Sequence, residues 1–259
     1  MTTLEFLERC GLGYFGGCSR MNAKNMIKGL LFDKDGTIID FFATWAPAYA
    51  EAARRLAGGD AALAERLLVL GGHDPATGRL KPESPLASGT NAQISKIWAD
   101  AIGHADVEGL NQSLNSFFNA HALSNARPVT DLVNLFGRLK SHGFKLGLAT
   151  MDSEAAAESQ LAAFGVRRLM DFVCGYDSGF GHKPGPGMVE GFCRSCGLKA
   201  GEIAVIGDSP HDLDMARAAG AGRAIGVLTG VSPREVLSLH ADLVLESIAE
   251  LETALELPG

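Results

Sequence analysis

Strand-like and helix-like segments alternate from Thr130 almost to the carboxyl end, and that alternation limits the chain to very few folds. Thr130–His142 carries Leu132, Leu135, Phe136 and Leu139 at helical spacing and stops at Gly143. Phe144–Ala149 is a short apolar run, a strand that ends at Thr150. A helix over Ser153–Phe164 follows, then a short strand at Asp171–Cys174. The spacing next predicts a helix over Pro186–Cys196, with proline in its first turn and Gly197 just past its end. Ile203–Gly207 reads as a strand ending at Asp208, and Leu213–Ala219 as a helix closed by Gly220. Ala224–Leu228 and Leu243–Leu245 are later strands, with helices at Pro233–Leu239 and Ile248–Leu255. Alternation of this length predicts an α/β fold: a doubly wound, Rossmann-like parallel sheet with helices on both faces.

One further strand precedes this series. Ile27–Phe32 is an apolar run that ends in Asp33-Lys34-Asp35-Gly36. Between it and Thr130 the pattern is helical. Ala43–Leu70 is rich in alanine, with Ala46, Tyr49, Ala50, Ala53 and Leu56 on one stripe, and Asn91–Ile102 and Val107–Leu123 continue the theme. No strand is expected between residues 43 and 127. A polar stretch, His73–Thr90, interrupts the helices and carries Arg79 and Lys81. The expectation is an α-helical cap domain over 43–127, inserted into an α/β core made of 26–42 and 128–259. Residues 1–25 form an N-terminal extension. Met21 and Met26 stand just ahead of the first strand, so this extension is expected to be dispensable.

The formal net charge of -7 gives no basic face for nucleic acid, although it leaves room for local binding of an anion. No apolar run approaches the ~20 residues that span a bilayer, and Met1–Arg20 lacks the apolar centre of a signal peptide. The five cysteines, an odd number, read as reduced thiols and point to a cytoplasmic protein. Cys193 and Cys196 form a C-x-x-C pair inside a helix with no second pair to match, and read as structural.

In a parallel sheet all the strand ends lie on one edge, where ligands bind. Here those ends bring together Asp33 and Asp35, Thr150, Lys183 from the loop Gly181–Pro186, and Asp208 with Asp212. Asp33 and Asp35 are two residues apart and so point to the same side of an extended chain. A carboxylate can act as the nucleophile of phosphoryl transfer, giving an aspartyl-phosphate intermediate. Four carboxylates at ~4 Å repel at about 4 kcal/mol per pair with an effective dielectric of ~20. Such a cluster calls for a hard cation with oxygen ligands, of which Mg²⁺ is the natural one. Lys183 would supply positive charge to a phosphoryl group. Thr150 offers a hydroxyl, and the amides of Met151 and Asp152 open the next helix, where an anion is favoured. Either Asp152 or Ser153 is expected to cap that helix. Asp40, Asp177, His182 and His211 read as structural or incidental, and Trp45 and Trp98 as cap core.

Asp33-Lys34-Asp35-Gly36-Thr37, Thr150, Lys183-Pro184 and Gly207-Asp208 through Asp212, in that order, resemble the four motifs of the haloacid dehalogenase-like phosphatase superfamily. The resemblance implies Asp33 as nucleophile and Asp35 as the acid that protonates the leaving alcohol and later activates water. It implies Asp33, Asp208 and the backbone of Asp35 as metal ligands, with Asp212 completing the metal site or orienting Lys183. The helical insert looks like the phosphoglycolate phosphatase branch. The expected substrate is then 2-phosphoglycolate, a small phosphorylated metabolite, with Arg79 or Lys81 meeting its acid group. The expected assembly is a monomer or homodimer, with no nucleic-acid or membrane partner. Asp35 argues against dehalogenation. A sugar-phosphate phosphatase or phosphomutase shares every motif and stays open, as does a non-catalytic phosphate binder.

Overall fold

In a computed structural model, which describes residues 27–81 and 84–257, the first strand is the centre of the molecule. Leu30, Leu31 and Phe32 are completely buried because strand β1 (Gly29–Phe32) has a neighbour on each side and helices on both faces. The sheet has six strands, all parallel, in the order β5-β4-β1-β6-β7-β8. Its other members are β4 (Lys145–Ala149), β5 (Phe172–Cys174), β6 (Ile203–Gly207), β7 (Arg223–Val227) and β8 (Leu243–Leu245). Side chains of β1 divide by their period of two. Leu30 and Phe32 join Phe136, Leu146 and Ile206 on one face, while Leu31 joins Phe192, Val205 and Leu213 on the other.

Register brings the strand ends level. Phe32 pairs with Leu148 on one side and Ile206 on the other. Asp33 therefore stands beside Ala149 and Gly207, one residue short of Thr150 and Asp208. The doubly wound sheet expected from the alternation is the fold observed.

The chain leaves the core after β1 through a helix, α1 (Phe41–Leu56), whose N-cap Asp40 accepts a hydrogen bond from the Ala43 amide at 2.8 Å. Four more helices follow: α2 (Ala61–Leu70), α3 (Pro85–Ser88), α4 (Asn91–Ile102) and α5 (Val107–Asn125). They enclose an apolar cluster of their own, built on Tyr49, Leu67, Trp98, Leu114 and Phe118. Trp98 is completely buried, and its indole donates to the Leu67 carbonyl at 2.9 Å.

Two expectations for this region fail. The segment Ala43–Leu70 is helical as expected, in two helices separated at Gly58 and Gly59, both with positive φ, but the expected stripe is misplaced. Its buried stripe is Phe41, Thr44, Ala48, Tyr49, Ala52 and Ala53; Ala46 and Ala50 face solvent. The second failure is the stretch after α2, which contains a small antiparallel hairpin, β2 (His73–Asp74) with β3 (Arg79–Leu80). Strands this short have no periodicity to read. Asp74 makes the turn instead, accepting from the Ala76 amide through its side chain and from Gly78 through its carbonyl.

The core resumes with α6 (Leu132–Ser141), α7 (Glu154–Ala163), α8 (Gly187–Cys196), α9 (Pro210–Ala219), α10 (Arg234–Leu237) and α11 (Leu251–Ala254). No helix among the described residues is long and apolar enough to cross a membrane. The N-terminal extension, with Met21, Cys10 and Cys18, lies outside the described residues.

Candidate active site

The turn after β1 sets the site. Gly36, at φ +87°, reverses the chain, and the Ile38 and Ile39 amides return to the Lys34 carbonyl. This leaves Asp33 at the strand end beside Lys183. The Lys183 ammonium donates to Asp33 Oδ1 at 2.5 Å and to Asp212 Oδ1 at 2.6 Å. Lys183 is thus a buried, doubly paired lysine. Burial works against its charge, but Asp212 and Asp33 outweigh it and hold its pKa above the ordinary lysine value.

Asp212 serves two purposes with its two oxygens. Oδ2 takes the Ser209 amide at 3.2 Å and the Ser209 hydroxyl at 2.6 Å, closing a capping box at the start of α9. Oδ1 faces Lys183. Both oxygens of Asp212 thus have partners.

Asp33, Asp208 and Asp212 each offer an oxygen, all within 4.8 Å of one another. Burial is the largest influence raising the Asp33 carboxyl, which reaches about 7 against the opposing pull of Lys183. Burial, then the neighbouring Asp33 and Asp212 charges, pushes Asp208 well above the usual carboxylate range. Asp208 accepts a hydrogen bond from the Val231 amide at 3.1 Å. Lys183 pairs with Asp33 and Asp212, and Lys34 with Asp35 and Asp152, while Asp208 makes no ion pair among the described residues. An all-oxygen donor set with excess negative charge fits a hard divalent cation.

The Asp35 carboxylate has partners of its own outside this trio. Its Oδ1 accepts from the Trp45 indole at 2.8 Å, and its Oδ2 lies 2.9 Å from the Lys34 ammonium. Lys34 also reaches Asp152 at 3.0 Å and is almost completely buried. Desolvation lowers its pKa, but Asp35 and Asp152 more than restore it. Neither Lys34 nor Trp45 was among the expected site residues. Trp45 belongs partly to the cap core, as expected, but its N–H does not.

The Thr150 loop differs in detail from expectation. Thr150 is buried, and its hydroxyl accepts from the Asp152 amide at 3.1 Å. Helix α7 begins only at Glu154, with Ser153 as N-cap, so Met151 and Asp152 lie in the turn ahead of it. The Met151 side chain is exposed. The Asp152 amide is engaged by Thr150, and its carboxylate by Lys34. Asp177 accepts from the Glu154 amide at 2.8 Å, a structural role as expected. Arg79 lies on the exposed face of the hairpin and makes no ion pair among the described residues.

The loop after β7 also escaped sequence reasoning. Thr229 donates its hydroxyl to the Gly36 carbonyl at 2.6 Å, and Gly230 packs against Asp208. Its composition is that of any strand-to-helix turn.

Residues 27–220 match the family model of the haloacid dehalogenase-like hydrolases. The chain belongs to that family. The hydrolase is 27% identical over 237 residues to the phosphoglycolate phosphatase of Yersinia pseudotuberculosis, covering 90% of this chain and 95% of the relative. Among solved structures it resembles a Thermotoga maritima protein named as a β-phosphoglucomutase. That likeness has a TM-score of 0.68 at 20% identity, over 89% of this chain and 99% of the other. A Haemophilus somnus protein named as a phosphoglycolate phosphatase gives a TM-score of 0.67 at 19% identity, over 88% and 97%. At these identities the structural likenesses show the fold of the hydrolase.

Proposed function

We propose that this hydrolase cleaves a small phosphomonoester by way of an aspartyl-phosphate on Asp33. The observation that carries this reading is the pair at the end of β1: Asp33 against Lys183, with Asp35 two residues on and held separately. The Asp33 oxygen attacks phosphorus, and the bond to the leaving oxygen breaks as Asp35 gives that oxygen a proton. Asp35 then removes a proton from water, which attacks the aspartyl-phosphate and releases inorganic phosphate and free Asp33. Lys183, the Thr150 hydroxyl and the Met151 amide are the groups that would hold the phosphoryl oxygens. Asp33, Asp208 and the Asp35 backbone would hold Mg²⁺, with Asp212 orienting Lys183. The cation would supply charge neutralisation at the phosphoryl group.

The proposed substrate is 2-phosphoglycolate. The curated relatives named phosphoglycolate phosphatase, aligned over nine-tenths of the chain, support it. Arg79 or Lys81, on and just beyond the cap hairpin, is proposed to meet the substrate carboxylate. Arg79→Ala should then raise KM about tenfold for 2-phosphoglycolate and leave KM unchanged for a neutral ester. The proposed setting is the cytoplasm, which suits the unpaired thiols of Cys174, Cys193 and Cys196.

The test is phosphate release from 2-phosphoglycolate beside a panel of sugar phosphates, with and without Mg²⁺. The expected result is Mg²⁺-dependent release that prefers 2-phosphoglycolate and falls at least about 1000-fold in Asp33→Asn. The structural likeness to a protein named as a phosphoglucomutase keeps one alternative. Interconversion of sugar phosphates without net release would select it.

A further inference from the structure

Asp35 is held through both carboxylate oxygens, and the two holds come from different parts of the molecule. Oδ2 meets Lys34, from the turn after β1, at 2.9 Å. Oδ1 meets the indole of Trp45, from the second turn of cap helix α1, at 2.8 Å. Lys34 is itself fixed by Asp152 at 3.0 Å. The Trp45 ring lies nearly parallel to Tyr49, with centroids 6.1 Å apart, and Phe118 of α5 meets it edge-on at 6.2 Å. Tyr49 and Phe118 close the triangle at 5.5 Å.

An indole needed only for packing can give its N–H to a nearby carbonyl, as Trp98 does to Leu67. Trp45 gives its N–H to a carboxylate across the boundary between cap and core. A carboxylate that transfers a proton must lie within hydrogen-bond reach of the leaving oxygen, and a misplacement of about 1 Å can cost ~100-fold in rate. Phenylalanine at position 45 would keep most of the ring packing and remove the donor.

We propose that Trp45 and Lys34 are positioning residues for Asp35, so that the cap helix itself aims the acid–base carboxylate. This inference rests on the phosphatase reading, in which Asp35 protonates the leaving group. It separates two kinds of ester. An alkyl phosphate needs that proton. p-Nitrophenyl phosphate leaves as a stable phenolate and hardly needs it.

The experiment measures kcat/KM, which covers steps up to loss of the leaving group, for wild type, Trp45→Phe, Lys34→Met and Lys34→Arg on 2-phosphoglycolate and on p-nitrophenyl phosphate. Trp45→Phe and Lys34→Met should lose about tenfold or more on the alkyl ester and under about threefold on the nitrophenyl ester. Lys34→Arg should recover part of the loss. Equal losses on both esters would mean a structural role and overturn the proposal. A second readout is independent of turnover. The chain has two tryptophans, so the Trp45 indole N–H resonance is identified by its absence in Trp45→Phe. It should shift in Asp35→Ala while the Trp98 resonance stays. An unmoved Trp45 resonance would remove the hydrogen bond, and the proposal with it, while leaving the phosphatase reading standing. A wild-type protein inert toward both esters would overturn the phosphatase reading and the proposal built on it.

Discussion

Asp208 is enclosed by two residues that have no side chain. A Cβ on Gly230 would fall 1.7 Å from Asp208 Oδ2, and one on Gly36 would fall 2.5 Å from the same atom. Gly36 also needs its glycine for a positive φ. Gly230→Ala is therefore expected to displace the Asp208 carboxylate and reduce phosphate release about 100-fold, with a weaker apparent affinity for Mg²⁺ in a metal titration. Lys183 presents the opposite problem, a buried charge with two partners. Lys183→Met leaves Asp33 and Asp212 without their shared cation. It is expected to cost about 3 kcal/mol in urea unfolding of the metal-free protein, in addition to activity. Read alone, Lys183 is an ordinary surface lysine before a proline. Its burial is visible only when β1, the Lys183 loop and α9 are brought together.

Among the elements, α1 carries the most consequence, because it leaves the active-site turn and brings Trp45 back to it. Its start is well specified. The Asp40 side chain takes the Ala43 amide, and the Asp40 amide donates to the Arg127 carbonyl at 2.8 Å, so the outgoing and returning connections of the cap meet there. Asp40→Ala is expected to lower stability by about 1 kcal/mol, read from the shift in thermal or urea unfolding. The structural role of Asp40 could be read from sequence, because an Asp ahead of an apolar helical pattern is an N-cap signal. The buried face of α1 could not. Alanines at 46, 48, 50, 52 and 53 satisfy several stripes equally well, and packing against α2 and α5 chose among them. The β2–β3 hairpin was hidden for a similar reason, since two-residue strands are made by their turn and neighbours and have no pattern of their own.

At the scale of the whole molecule, the acidic cluster couples metal, pH and stability. The Asp33 carboxyl, raised to about 7 in the metal-free fold, has an ordinary unfolded value near ~3.9. Between those two values the folded state binds more protons than the unfolded state. Stability of the metal-free protein therefore falls as pH rises through that window and levels off above it. Asp208, raised in the same direction, adds to the trend. A divalent cation held by the deprotonated cluster, as proposed, would oppose this loss. The rise in Tm caused by Mg²⁺ is expected to be larger at pH 8 than at pH 5.5, by thermal denaturation with and without the ion. An equal rise at both pH values would separate the cation from these carboxylates.

The sequence by itself determined the parallel α/β sheet and the edge at which its chemistry gathers. Period-two burial and strand–helix alternation are local properties, and in a parallel sheet every strand delivers its last residue to the same side. Asp33, Thr150 and Asp208 could be placed together on those grounds without any tertiary information. Tertiary structure decided the rest: the double pairing of Lys183, the glycine enclosure of Asp208, and the contact of Asp35 with Lys34 and Trp45. The first two depend on segments that meet from well-separated parts of the chain, and the third on how the turn after β1 and the start of α1 pack together. A side chain's partners across such a gap are set by packing and burial, which no local pattern of residues encodes.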